Sequence, residues 1–295
     1  MKKVYEASDK MMKTRMARTR QKDLETLKSI SDNEVIVVKG SYDRVEDVLD
    51  IVGIPYGLIN EPDLDVIELR PTQTLIINCP ASVVSDKALG KFRKFVEDGG
   101  FLFSTDWVLL NVLQKIFPEY VQYNNKPTAD DVVKVEIADR DSPYLEGLFE
   151  GDEADPQWWL EGSSYPIKLL KPDKIKVLIR SREMKKKYGE DPIVITFDYG
   201  KGTVFHMTSH YYLQRTELRS ERHKSSAKNY MSELNLSKED IDEEELADMK
   251  LGEVESAYTS AQFIVNTMIE RKKKVQNLKK ESDTHKSAEK EKEKK

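Results

Sequence analysis

The sequence predicts an α/β protein with a mostly parallel central sheet and further antiparallel strands in its C-terminal half. Between Glu34 and Phe117, short β-branched runs alternate with helical apolar stripes, the pattern of βαβ units. Apolar residues continue to Ile269 with no Gly/Ser/Pro-rich linker dividing them, which indicates one folded domain. From Val132 onward strand-like runs crowd together, and some of these should pair antiparallel.

Glu34-Val-Ile-Val-Val-Lys39 has the length and composition of a buried parallel strand and ends at Gly40. A helix should follow. Asp43 can cap it, Glu46 and Asp47 suit its positive first turn, and Val45, Val48, Leu49 and Val52 share one face before Gly53. Pro55 to Asn60 is the second strand, and Val66 to Leu69 is too short to assign. Thr74 to Asn78 is a buried strand closed by Pro80. Ser85 can cap the next helix, whose stripe is Leu89, Phe92, Phe95 and Val96, with an exit at Gly99-Gly100. Phe101 to Ser104 is the following strand, and Asp106 to Phe117 the following helix.

Further strands are expected at Val132–Ile137, Trp158–Leu160, Ile167–Leu170, Lys176–Ile179, Ile193–Phe197 and Thr203–Met207. Residues 215–250 form a charge-dense insert, expected to be mobile and peripheral, in which Ser237 and Asp240 have capping spacing. Ala257, Ala261, Ile264, Val265 and Met268 give the stripe of a terminal helix that packs on the sheet. Residues 1–30 are then a basic arm, partly disordered or helical, 31–270 the domain, and 271–295 a Lys/Glu-rich tail.

Composition limits the function. The ends, residues 1–22 and 271–295, carry eight and eleven basic residues against two and five acids, which leaves the body with 29 basic and 46 acidic residues. A body near −17 repels phosphate backbones, so nucleic acid could be met only weakly, through the basic ends. No run approaches the roughly 18 apolar residues of a membrane span, and no signal peptide opens the chain. Cys79 is the single cysteine, which excludes an intramolecular disulfide and a cysteine-based zinc site built from this chain alone. Its expected identity is a small buried apolar residue in a reducing cytoplasm. His206 and His210 are four apart on a strand, about 13 Å, so they make no metal pair, and neither metal nor cofactor is expected.

Three segments carry a resemblance. They are Thr74-Leu-Ile-Ile-Asn-Cys-Pro-Ala81 with the following helix and Phe101-Leu-Phe-Ser-Thr-Asp106; Asp139-Arg-Asp-Ser-Pro-Tyr-Leu-Glu-Gly-Leu148; and Tyr199-Gly-Lys-Gly-Thr-Val-Phe-His-Met-Thr-Ser-His210. In that order they resemble the class I glutamine amidotransferase-like superfamily, especially its divergent members. The resemblance implies a flavodoxin-like three-layer sandwich. Enzymes of that class place a cysteine on a strained strand-to-helix turn, where helix amides lower its pKa. The matching position here is Asp106, or Thr105 one residue earlier, and Trp107 and Val108 replace the glycines of such an elbow. His210 matches the family's general base, but Tyr212 stands where a glutamate usually orients it.

Lost amidotransferase chemistry leaves three expectations. A non-catalytic, pseudoenzyme-like module would bind a protein partner or a small molecule above the strand ends. A divergent hydrolase would use Asp106 as nucleophile or acid/base with His210, supported by Ser104, Thr105 or Ser209. A sensor would keep the old pocket for a ligand, with Trp107 and Tyr212 at its wall and Trp158 and Trp159 at its mouth. Asp106 also has the plain reading of an N-cap for the helix it opens.

Overall fold

The computed structural model describes residues 1–149 and 154–292, with side chains through residue 280. The chain opens with α1 (Lys2–Thr19) and α2 (Gln21–Lys28). Val4, Tyr5, Ala7, Met11, Met12 and Met16 of α1 are buried at helical spacing. Its cations turn outward into ion pairs: Lys10 with Glu245 at 2.9 Å, Lys13 with Asp9 at 2.8 Å, and Arg18 with Asp240. The basic N-terminal segment is therefore a packed layer of the protein, and several of its cations are paired within the chain.

Next come β1 (Val35–Val38), α3 (Val45–Val52), β2 (Gly57–Ile59), β3 (Thr74–Ile77), α4 (Asp86–Glu97) and β4 (Phe101–Thr105). The Ser85 side chain caps α4 by accepting from the Ala88 amide. Asp43 does not cap α3; its carboxylate accepts instead from the adjacent Arg44 amide at 2.8 Å. A π-helical turn at Leu109–Leu113 leads into α5 (Gln114–Ile116).

The second half contains β5 (Val121–Tyr123), β6 (Asp131–Lys134), β7 (Glu136–Ile137), β8 (Gln157–Leu160), β9 (Ile167–Leu169), β10 (Lys176–Arg180), α6 (Arg182–Tyr188), β11 (Pro192–Tyr199) and β12 (Gly202–Met207). Four helices follow: α7 (Glu221–Lys224), α8 (Lys228–Glu233), α9 (Glu243–Leu246) and the long α10 (Leu251–Lys292). The expected single strand over Val132–Ile137 is divided, because β6 pairs with β8 and β7 with β10 in different sheets.

The main sheet has the order β2-β1-β3-β4-β12-β11-β10-β7. Its first five strands are mutually parallel and the remaining pairings antiparallel. Alternating side chains divide the core into two apolar clusters. Ile76, Phe101, Phe103, Phe205 and Met207 face α1, α3 and α10, whereas Leu75, Ile77, Leu102 and Val204 face α4, α5 and the small β5–β9 sheet. Helices thus cover both faces, giving a three-layer α/β sandwich.

The insert differs from expectation. Ala227, Tyr230, Met231, Leu234, Leu236, Ile241 and Leu246 are buried in the same cluster as α10. These anchors are scattered over short helices and tight turns, so no long periodic stripe reveals them against the surrounding charge. Among the described residues no helix is long and apolar enough to cross a membrane.

Candidate functional site

The loops leaving β1, β3, β4 and β12 meet above the carboxyl ends of these parallel strands, where open α/β sheets form their crevice. Gly40 permits the closest approach: a Cβ there would lie 2.3 Å from the Cys79 carbonyl oxygen. That oxygen accepts from the Ser41 and Tyr42 amides at 3.1 and 3.3 Å, which fixes the first loop against the second. Thr105, the last residue of β4, accepts the Cys79 amide on its Oγ1 at 3.1 Å.

Asp106 follows with a φ of +44°, a left-handed conformation strained for a residue with a side chain. Its amide prolongs the pairing with β12 by donating to Met207 O at 2.9 Å. The turn directs its carboxylate inward, where Oδ1 accepts from the Tyr165 amide at 2.7 Å and Oδ2 from the Ser164 hydroxyl at 3.0 Å. The N-cap expectation is corrected by these bonds. The helical turn starts after Val108 without a side-chain cap, and both Asp106 oxygens point toward the β8–β9 loop instead.

His210, three residues past β12, is 3% exposed. Its Nε2 stands 3.7 Å from Asp106 Oδ2 and its Nδ1 2.5 Å from Glu161 Oε2. Neither ring nitrogen has an aligned hydrogen bond, so these are close charge contacts rather than finished bonds. Ser209, at φ +67°, accepts the Glu161 amide on its Oγ at 3.0 Å and so holds Glu161 over the ring.

Asp106 and His210 therefore share one cleft of about 230 Å³, together with Tyr42, Cys79, Trp107, Glu161, Gly162 and Ser163. Trp107 donates its indole N–H to Ser163 O at 2.7 Å and stacks on Tyr165 with ring centroids 5.3 Å apart. Burial pushes the Asp106 carboxyl up to about 6, although His210 beside it pulls the other way. Burial also raises Asp43, again opposed by His210. For His210 burial acts to lower the pKa, but Asp43, Glu161 and Asp106 outweigh it and raise the imidazole to about 9. The raised imidazole stands among carboxyl groups, and no Lys or Arg is among the lining residues of the cleft.

The other expected residues lie elsewhere. Ser104 is buried beneath the cleft, its Oγ 2.9 Å from His206 Nδ1. His206 is a buried histidine within β12, pushed down to about 3 by burial. Tyr212 turns away: it stacks on Tyr5 at 5.1 Å and lines a separate groove with Lys2, Glu6, Asp47 and Asp50. Trp158 and Trp159 are absent from the cleft wall, their indoles bonding Thr208 O and Asp130.

Cys79 is buried, as the sequence led one to expect, and it also reaches the cleft. Its thiol, raised by burial and then by Asp106, lines the cleft, and ligand atoms of Cys79, Asp106 and His210 all lie within 4.8 Å of one another. The sequence also missed Glu161, and Asp43 beyond its capping role. A position just after a parallel strand was the available signal for Cys79, whereas Glu161 arrives from the β8–β9 loop with no such marker.

No family model matches the chain, and no curated protein matches it. Several solved structures are similar to part of it. A cytoplasmic protein from Salmonella typhimurium is 11% identical over 60% of this chain and 88% of its own, with a TM-score of 0.44. A thua-like protein from Parabacteroides merdae is 16% identical over 59% of this chain and 77% of its own, with a TM-score of 0.43. An exo-β-1,4-mannosidase from Opitutaceae bacterium strain TAV5 is 11% identical over 66% of this chain, at a TM-score of 0.41; this chain spans about a third of that enzyme's length, the match covering 33% of it. Likeness at this level carries no functional weight.

Proposed function

We propose that the chain is a non-catalytic binding module of the glutamine amidotransferase-like, flavodoxin-like class, which holds a small cationic ligand in the cleft above its parallel strands. One observation carries this reading: Asp43, Asp106 and Glu161 act on a single imidazole in a pocket whose lining includes no Lys or Arg. Several buried carboxyl groups answered by a single imidazole favour a further positively charged guest. Both oxygens of Asp106 are held by Tyr165 and Ser164, which suits a fixed recognition group better than an attacking nucleophile. The strand order β2-β1-β3-β4-β12 supports the flavodoxin-like assignment, since it matches the order of that doubly wound arrangement.

A second reading, hydrolysis through an Asp106 ester with His210 as base, is favoured by the strained φ at Asp106. One pair of assays separates the two. In thermal-shift screening, small amines and metal cations should raise the melting temperature of wild type but not of Asp106→Asn. Turnover of a panel of ester, amide and haloalkane substrates should be absent. Turnover that disappears in both Asp106→Asn and His210→Ala would replace the binding reading with the hydrolase.

A further inference from the structure

We infer that the cleft is a site for a divalent transition metal of the zinc type, ligated by the Cys79 sulfur, an Asp106 oxygen and His210 Nε2. The inference rests on the reading of the cleft as a cation-binding site and names the cation.

The three ligand atoms belong to three different loops, after β3, β4 and β12, and the fold brings all of them within 4.8 Å of one another. Ligands 2.0–2.3 Å from a tetrahedral zinc stand about 3.3–3.8 Å apart. The 3.7 Å between His210 Nε2 and Asp106 Oδ2 already falls in that range. All three residues are buried, and His210 Nε2 has no aligned hydrogen bond. A buried imidazole in that condition is costly unless something else completes it.

The surroundings have the form of a metal's outer shell. Glu161 Oε2 stands against His210 Nδ1, the arrangement in which a carboxylate fixes the ring and leaves the other nitrogen for the ion. Ser164 and the Tyr165 amide orient the Asp106 carboxylate in the same way. Sulfur and imidazole together select zinc, cobalt or a similar ion over magnesium and calcium, which take oxygen ligands. On binding, the thiol proton and the proton on His210 Nε2 leave to solvent as the sulfur–metal and nitrogen–metal bonds form. Three protein ligands leave a fourth position open toward the cleft, beside Tyr42 and Trp107.

The test uses the untagged full-length chain, stripped with chelator and titrated with Zn²⁺ by calorimetry and with Co²⁺ by absorption. One Zn²⁺ per chain is expected, and Co²⁺ should give a thiolate charge-transfer band. Excess Mg²⁺ or Ca²⁺ should not displace either. Cys79→Ser should abolish the band and weaken Zn²⁺ at least about 100-fold, and Glu161→Gln about 10-fold or more. Glu161 is partly exposed, so its variant tests the site even where Cys79→Ser folds poorly. Absence of Zn²⁺ binding, or binding that both variants leave unchanged, overturns the assignment. If small amines still protect wild type but not Asp106→Asn, only the metal is lost; if nothing protects it, the binding reading falls as well.

Discussion

Two histidines sit inside this protein among carboxylates, and they are treated differently. At His223, Nε2 lies 2.9 Å from the Asp155 carbonyl and Nδ1 3.0 Å from Gln157 Nε2, so both ring nitrogens are bonded. Beside it Arg222 bridges Glu255 and Glu233 at 2.8 and 2.7 Å, giving the acids a cation. At His210 neither nitrogen is bonded, and no Arg or Lys is among the lining residues. The first cluster fastens the insert to α10. The second keeps charge uncompensated above the sheet, as sites selected for binding do at the expense of stability.

The comparison can be broken by substitution. Glu255→Ala should have the largest effect, a loss of about 3–5 kcal/mol in chemical denaturation, because the partly buried Arg222 loses its fully buried partner and keeps only Glu233. A loss below about 1 kcal/mol would mean that the insert is not held by this pair. Met12→Ala, at a fully buried position of α1, should cost about 2–5 kcal/mol. An unchanged denaturation midpoint would return the N-terminal segment to the status of a loose arm.

His206 sharpens the contrast through pH. Its folded pKa is lowered from 6.5 to about 3 by burial, so the unfolded chain takes up a proton in this window and the folded one does not. Its stabilising contribution is full above about pH 6.5 and is lost as pH falls toward 3, at about 1.4 kcal/mol per pH unit. Denaturation at about pH 7, 6 and 5 should show a steeper acid loss in wild type than in His206→Gln; equal slopes would place a charged or solvated imidazole there.

Much of the parallel half was legible from sequence, because Val35–Val38, Thr74–Ile77 and Phe101–Thr105 are short β-branched or aromatic runs next to clear helical stripes. The insert and the N-terminal layer were not, since their buried residues stand among many charges and their shared cluster with α10 is formed by contacts distant in sequence. At the site, the resemblance to the glutamine amidotransferase-like superfamily singled out Asp106 and His210. It could not show that Asp106 would turn its carboxylate away from the helix, which depends on the +44° φ and on donors from the β8–β9 loop. Glu161 joined the site through tertiary contact alone, Cys79 carried only its place after β3 as a signal, and Tyr212 left the site by stacking on Tyr5 of α1.

The smallest expected effect is the most direct test of the central claim, that the cleft stores negative charge for a cation. Chemical denaturation of wild type and Asp106→Asn would be compared in chelator and again with Zn²⁺. Without metal, Asp106→Asn should be within about 1 kcal/mol of wild type or more stable, since asparagine can still accept from the Tyr165 amide, can donate in turn to Ser164 Oγ, and removes one buried anion. With Zn²⁺, wild type should gain stability and the variant should not. A variant destabilised by several kcal/mol in chelator, with no Zn²⁺ effect on either chain, would make Asp106 a structural residue and contradict the claim.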